Sequence, residues 1–96
     1  MDICDGLEKV VIRARILGLM KQERRPLSVA EVSDLLDYKD KNYLSSCITA
    51  FNDGRLVSES GGSYKGVKRK TYELAQIGEA EFDKFIAYFN ALAKLL

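Results

Sequence analysis

Four cations, Lys65, Lys68, Arg69 and Lys70, fall between Gly61 and Tyr72, and no acidic side chain lies among them. The whole chain carries 15 Lys and Arg against 14 Asp and Glu, a net charge of +1. This one segment therefore concentrates positive charge that the chain as a whole lacks. Cations at this density pair with phosphates or other anions and displace their counterions. Gly61, Gly62 and Gly66 mark the stretch as a turning segment, and strand-like runs flank it at 56–60 and 70–74. Two strands joined by a glycine-bearing loop predict a β-hairpin with a basic tip. Strand alternation puts Lys68 and Lys70 on one face with Tyr72, and Arg69 on the other, with Tyr64 near the turn. Taken alone, the same residues also describe a solvated loop kept soluble by its lysines.

Other chemistries find little support. The chain has no histidine, which removes the commonest general base and metal ligand and any Ser-His or Cys-His nucleophile pair. No Gly-rich phosphate loop opens a helix. Two cysteines, Cys4 and Cys47, are too few for a disulfide framework. Cys47 reads as a small buried hydrophobe, and Cys4, near a chain end, as a thiol that could meet its copy across a two-fold axis. The expectation is a protein that is not an enzyme, with no metal and no cofactor. No apolar run nears the ~18 residues of a membrane span, and the N-terminus lacks the basic start and apolar stretch of a signal peptide, so a cytoplasmic location is expected.

The elements that must hold the basic segment are legible from periodicity. Residues 5–22 read as a helix with Leu7, Val10, Val11, Ala14, Leu17 and Met20 at helical spacing, Asp5 as N-cap and Glu8 completing a capping box. Pro26 ends that element, and Leu27 starts a very short strand. Ser28 caps a second helix to about Asp37 that buries Val29, Val32, Leu35 and Leu36, with Glu31 at its third position. After a polar turn at 38–42, a third helix runs over about 41–53 with Leu44, Ile48 and Phe51 inward, stopped by Asp53-Gly54. The hairpin occupies about 55–75 and a last helix about 76–96. Ninety-six residues make a single domain, 1–96.

The order helix, helix, helix, hairpin, helix contains a helix-turn-helix followed directly by a basic hairpin. On Leu27–Val32, Asn42–Phe51, Gly54–Val57, Lys68–Leu74 and Ile77–Ala80 the chain resembles the small winged-helix transcriptional regulators of bacteria and archaea, in the MarR-like and PadR-like group. The resemblance covers nearly the whole chain and implies an α+β, mainly α, fold: three helices, a two-stranded hairpin wing and a long C-terminal dimerisation helix. It also implies a third helix in the major groove of double-stranded DNA and a wing on the backbone or minor groove.

Residue by residue, the third helix offers Lys41, Asn42, Tyr43, Ser45, Ser46 and Thr49 to DNA, where asparagine can pair with adenine and hydroxyls with bases or phosphates. The wing offers Tyr64, Lys65, Lys68, Arg69 and Lys70. Arg13, Arg15, Lys21, Arg24 and Arg25 could extend a positive surface toward flanking phosphates, but Asp5, Glu8 and Glu23 lie close in sequence, internal ion pairing is an equal alternative, and these cations are not assigned to DNA. The last helix carries more apolar residues than one ~100° stripe needs, which points to a homodimer through Leu7, Val11, Phe85, Phe89, Leu92 and Leu96. Such a dimer sets two recognition helices ~34 Å apart to read a palindrome, most simply as a repressor that blocks a promoter. The alternative is a winged-helix protein–protein interaction module in a transcription or replication complex. It is favoured by the neutral overall charge and by the absence of any cation between Lys41 and Arg55.

Overall fold

The computed structural model describes the backbone of residues 3–95 and side chains from residue 6 onward. Expectations placed on the side chains of Cys4 and Asp5, and on Leu96, fall outside the described residues. The elements are α1 (Ile3–Glu23), β1 (Leu27–Ser28), α2 (Val29–Leu36), α3 (Lys41–Asp53), β2 (Val57–Tyr64), β3 (Val67–Leu74) and α4 (Gln76–Ala93). The expected mainly helical α+β order is present. The short strand at Leu27 joins the hairpin in an antiparallel sheet of order β1-β3-β2.

The core lies where α1, α2 and α3 meet the base of the sheet. Ile16, Leu27, Val32, Leu44 and Ile48 are fully buried in it, with Val57 and Tyr72 contributed by the strands. The inward stripe of α3, Leu44–Ile48–Phe51, is buried together with Cys47, as its spacing predicts. α1 differs from its sequence reading. Ile12 and Ile16 face the core, whereas Leu7, Val10 and Val11 are 57%, 43% and 47% exposed. The helix carries two apolar stripes on nearly opposite sides, and a single periodic reading merged them. In α2, Leu35 is 48% exposed rather than buried. Ser33 turns inward instead and donates its hydroxyl to the Tyr38 carbonyl at 2.6 Å.

Helix ends show how local sequence sets the frame. Ser28 Oγ accepts the Glu31 N–H at 3.1 Å, the expected cap of α2. The Glu31 carboxylate does not close the box but pairs with Arg25 at 2.6 Å. α1 begins at Ile3, so Asp5 stands inside it rather than at its N-cap. Asp40, read as part of a polar turn, caps α3 by accepting the Tyr43 N–H at 3.0 Å. α3 does stop at Asp53, but Gly54 has φ −82 and the left-handed residue is Arg55, φ 62.

The hairpin falls within its expected 55–75, but its strands are longer than the runs read from the sequence. Strands β2 and β3 pair from Val57↔Leu74 out to Tyr64↔Val67, leaving Lys65-Gly66 as a two-residue turn. Both turn residues have positive φ, 52 and 77, the type I′ geometry that matches strand twist. Gly61 and Gly62, expected in the loop, lie within β2 opposite Lys70 and Arg69. A Cβ on Gly62 would sit 2.9 Å from the Thr71 methyl, so glycine there answers cross-strand packing rather than a turn.

α4 crosses back over the base of the hairpin and along α1. Only Gly78 of its residues is buried, and a Cβ on it would stand 2.1 Å from the Leu56 carbonyl oxygen. Further along, Phe82 lies against Gly18 of α1, at 3.1 Å from where a Cβ would be. Lys21 of α1 pairs with Asp83 at 2.7 Å and Glu79 at 3.7 Å.

Candidate nucleic-acid interface

The outer face of α3 is built by the same spacing that buries its inner one. With Leu44, Ile48 and Phe51 inside, Lys41, Asn42, Ser45, Ser46 and Thr49 are exposed, and Asn52 is half-buried. This is a continuous row of short polar side chains with one cation at its start. Tyr43 departs from its expected exposure. It is half-buried, its ring centroid is 6.4 Å from that of Tyr38, and its hydroxyl is sealed from solvent without a hydrogen-bond partner among the described residues. Burial pushes its phenol above the ordinary range, and the neighbouring Cys47 thiol adds to this. Tyr43 therefore braces the start of α3 rather than offering its hydroxyl to a ligand.

On the hairpin, pairing and alternation fix the faces. Glu59, Gly61, Ser63, Lys68 and Lys70 share the face that carries Val57 and Tyr72 into the core, while Arg69 points to the opposite face with Gly62 and Thr71. The cations thus occupy both sides of the ribbon, and the residues facing them across the strands are glycine and serine. Among the described residues, Lys68 and Arg69 have no ion-pair partner. Lys70 lies 3.8 Å from Glu59, with its side chain 75% exposed.

The hairpin tip is tied down by a residue that the sequence reading did not single out. Asp34 of α2 accepts a hydrogen bond from the Tyr64 hydroxyl at 2.7 Å, and Lys65 Nζ lies 3.2 Å from the same oxygen. The Tyr64 bond first, then Lys65, holds the Asp34 carboxyl below the ordinary carboxylate range, and the charge of Lys41 acts in the same direction. Tyr64 and Lys65 are both shifted up, each chiefly by its hydrogen bond to Asp34. Asp34 therefore ties the hairpin tip to α2. Only contact across the fold reveals it, because Asp34 and Tyr64 are 30 residues apart.

Of the cations of α1 and its following loop, Lys21 and Arg25 are ion-paired internally, and only the Glu23 contact of Arg25 is to an acid that the sequence places close by. Lys21 pairs with Asp83 and Glu79, and Arg25 with Glu23 at 3.1 Å and Glu31. Arg15 donates to the Leu36 carbonyl at the end of α2.

Behind this surface, Val11, Ala14 and Gly18 of α1 and Phe82, Phe85, Ile86 and Phe89 of α4 line an open apolar groove of about 360 Å³. The side chains of Phe89, Leu92 and Leu95 are 55%, 59% and 81% exposed. Of the residues expected at a dimer interface, Leu7, Val11, Phe89 and Leu92 are exposed and Phe85 is half-buried beside the groove.

Two helices joined by a tight turn, the second with a polar outer face, lead straight into a two-stranded ribbon with cations on both sides. The fold is a winged helix. It is similar to a PadR-like transcription factor from Bacteroides fragilis, with a TM-score of 0.80, 18% identity, and 99% of this chain and 95% of the other covered. It is also similar to a PadR family transcriptional regulator from Eggerthella lenta DSM 2243, with a TM-score of 0.66, 19% identity, and 94% and 88% covered. At these identities the likeness is one of fold. No family model matches the sequence, and no curated protein matches it. In this fold α3 is the second helix of the helix-turn-helix and β2–β3 form the wing. Among the described residues, no helix is long and apolar enough to cross a membrane and no cluster of metal-ligating side chains occurs.

Proposed function

We propose that the chain is a sequence-specific double-stranded DNA-binding transcriptional regulator of the cytoplasm that acts as a homodimer and represses by occupying a promoter. The observation that carries this reading is the two-sided cationic wing directly after a helix that exposes Lys41 and the small polar Asn42, Ser45, Ser46 and Thr49. Lys68 and Lys70 on one side and Arg69 on the other supply phosphate contacts to both walls of a groove and release counterions, which dominates affinity. Asn42, Ser45, Ser46 and Thr49 supply the base-edge and backbone hydrogen bonds that choose the sequence. Lys41 adds a phosphate contact at the start of α3. Tyr43 is left out of the contact set because its hydroxyl is sealed inside.

The dimer reading rests on the apolar surface of α1 and α4. A monomer would leave Phe89, Leu92 and Leu95 more than half exposed, next to an open groove of phenylalanines. A second copy that laid its own α4 there would bury them, and the self-complementary contact gives two-fold symmetry. The two recognition helices would then meet successive major grooves ~34 Å apart.

Selection of bound fragments from a random double-stranded pool tests the whole reading. A recovered palindrome with half-sites about one helical turn apart is the expected result. Recovery of no preferred sequence at low salt would sink it. The second reading, a protein–protein interaction module, draws on the single cation of α3. A stable protein partner recovered together with absent DNA binding would promote it.

A further inference from the structure

The outer wing has little to hold it. β1 pairs with only Thr71 and Tyr72 of β3, so beyond the Ser60↔Thr71 pair the wing is a two-stranded ribbon. Such a ribbon alone is marginally stable in water. Gly61 and Gly62 bring no side chains to stiffen it. Among the described residues, the hydrogen bonds and ion pairs that join this ribbon to the helices are those of Tyr64 and Lys65 to Asp34, at 2.7 and 3.2 Å.

We infer that Asp34 is a positioning residue for DNA binding, one that fixes the wing tip against α2 through the Tyr64 hydroxyl and so sets the wing cations at a defined distance from α3. The inference rests on the DNA-binding reading above. Two observations favour positioning over sequestration of the tip cation. Lys65 remains 71% exposed while paired, and an ammonium has three donors, so it can meet a phosphate without leaving Asp34. The shorter of the two contacts is made by the neutral tyrosine hydroxyl, whose loss frees no cation.

The sign of the effect separates the two roles. Asp34 places a negative charge against Lys65 and within the field of Lys41, so electrostatics alone has Asp34→Ala tighten binding. A positioning residue has it weaken binding, because the ribbon then samples orientations that cannot engage together with α3.

The test uses the full chain, a duplex selected from a random pool, and the variants D34A, D34N, Y64F, D34A/Y64F and K68A/R69A. DNA affinity is measured alongside amide hydrogen exchange of residues 63–68 without DNA. D34A and Y64F are each expected to weaken binding by about threefold, the size of effect an exposed hydrogen-bonded pair contributes. Each should speed exchange at the tip to a similar degree, and the double variant should be no worse than either single one. D34N keeps an oxygen for Tyr64 and should restore most of both. Unchanged or tighter binding by D34A would overturn the inference. So would a D34N as impaired as D34A, or additive effects in the double variant, since each detaches the effect from the Tyr64–Asp34 bond. If K68A/R69A weakens binding while D34A does not, the DNA-binding reading stands and the positioning role alone falls. A wild-type chain that binds no duplex defeats both.

Discussion

Gly78→Ala should destabilise the protein severely, although it replaces a poor helix former with the best one. Gly78 is the third residue of α4, placed where the helix crosses the backbone before β2. A Cβ there would stand 2.1 Å from the Leu56 carbonyl oxygen, 2.9 Å from its carbon and 2.8 Å from Leu74 Cδ1. The Leu56 oxygen cannot swing away, because it accepts the Ala75 N–H at 2.9 Å. α4 must therefore lift by about 1 Å to reach the closest separations that real side chains show. That lift strains the Ala75 bond, worth about 1 kcal/mol net. It also pulls Phe82 from Gly18 and Asp83 from Lys21. Overpacking against backbone costs about 3 kcal/mol, the upper end of the usual range, since no flexible side chain can yield. The gain in helix propensity returns at most about 1 kcal/mol. The net loss is about 3 kcal/mol, which for a domain of this size lowers Tm by roughly 15 °C.

Thermal and urea unfolding at matched protein concentration measure it, since association shifts apparent stability. Gly6→Ala is the control. It lies inside α1 with nothing within 4 Å of its added methyl, and should stabilise by up to about 1 kcal/mol. A Gly78→Ala protein within about 2 °C of wild type would refute the close-crossing argument.

Further outcomes follow from the same geometry. K68A/R69A should lower the slope of log affinity against log salt by about 1.8, two phosphate contacts' worth, and weaken all sequences alike, as titrations between 50 and 200 mM salt would record. Leu92→Asp should convert a dimer to monomer in sedimentation velocity while leaving the far-ultraviolet circular dichroism of the fold intact, because Leu92 is 59% exposed in the single chain. Arg55→Gly should stabilise by about 1 kcal/mol in urea melts, since Arg55 holds φ 62 without a glycine's freedom, whereas Gly54→Ala should be near neutral at φ −82. The Asp34 carboxyl is held below its ordinary range, by the Tyr64 bond first and then by Lys65, so its contribution is complete above the ordinary carboxylate pKa and is lost only as pH falls through the lower one. Hydrogen-exchange protection of residues 63–68, corrected for intrinsic rates, should therefore stay level from pH 7 to 5 and drop below about pH 4.

What the sequence made legible was whatever depends on local pattern. The inward stripe of α3, the Ser28 cap, the brief strand at Leu27 and the alternation of Lys68, Arg69 and Lys70 all follow from spacing over a few residues. Periodicity failed where one helix serves two neighbours. α1 meets the core with Ile12 and Ile16 and the α4 side with Val11 and Ala14, and one hydrophobic stripe cannot describe both. It failed again at glycine. Glycine's preference for turns puts Gly61 and Gly62 in a loop, but Gly62 is small to admit the Thr71 methyl, and of the three glycines here only Gly66 has a positive φ, beside Lys65. Asp34 had no local signal at all. Its role exists only once the chain has folded the wing tip onto α2.

The distribution of charge lets a chain of net charge +1 present a concentrated cationic face. On the α1–α4 side, Lys21 is paired with Asp83 and Glu79, and Arg25 with Glu23 and Glu31. Among the described residues, Lys68 and Arg69 have no acid near enough to pair, and Lys70 meets Glu59 only at 3.8 Å. The field is therefore uneven although the sum is nearly zero, and screening over ~10 Å at ordinary salt keeps the two regions electrically separate. Two wings in one dimer would double the contacts without adding net charge to either subunit beyond what each carries. Binding of that kind should be weak for one subunit and strong for two, because the second wing engages at the high effective concentration set by the first. Leu92→Asp should then cost far more DNA affinity than its distance from the wing would explain. An obligate-dimer half-site that the Leu92→Asp monomer bound as tightly as wild type would show that α4 contributes nothing to recognition.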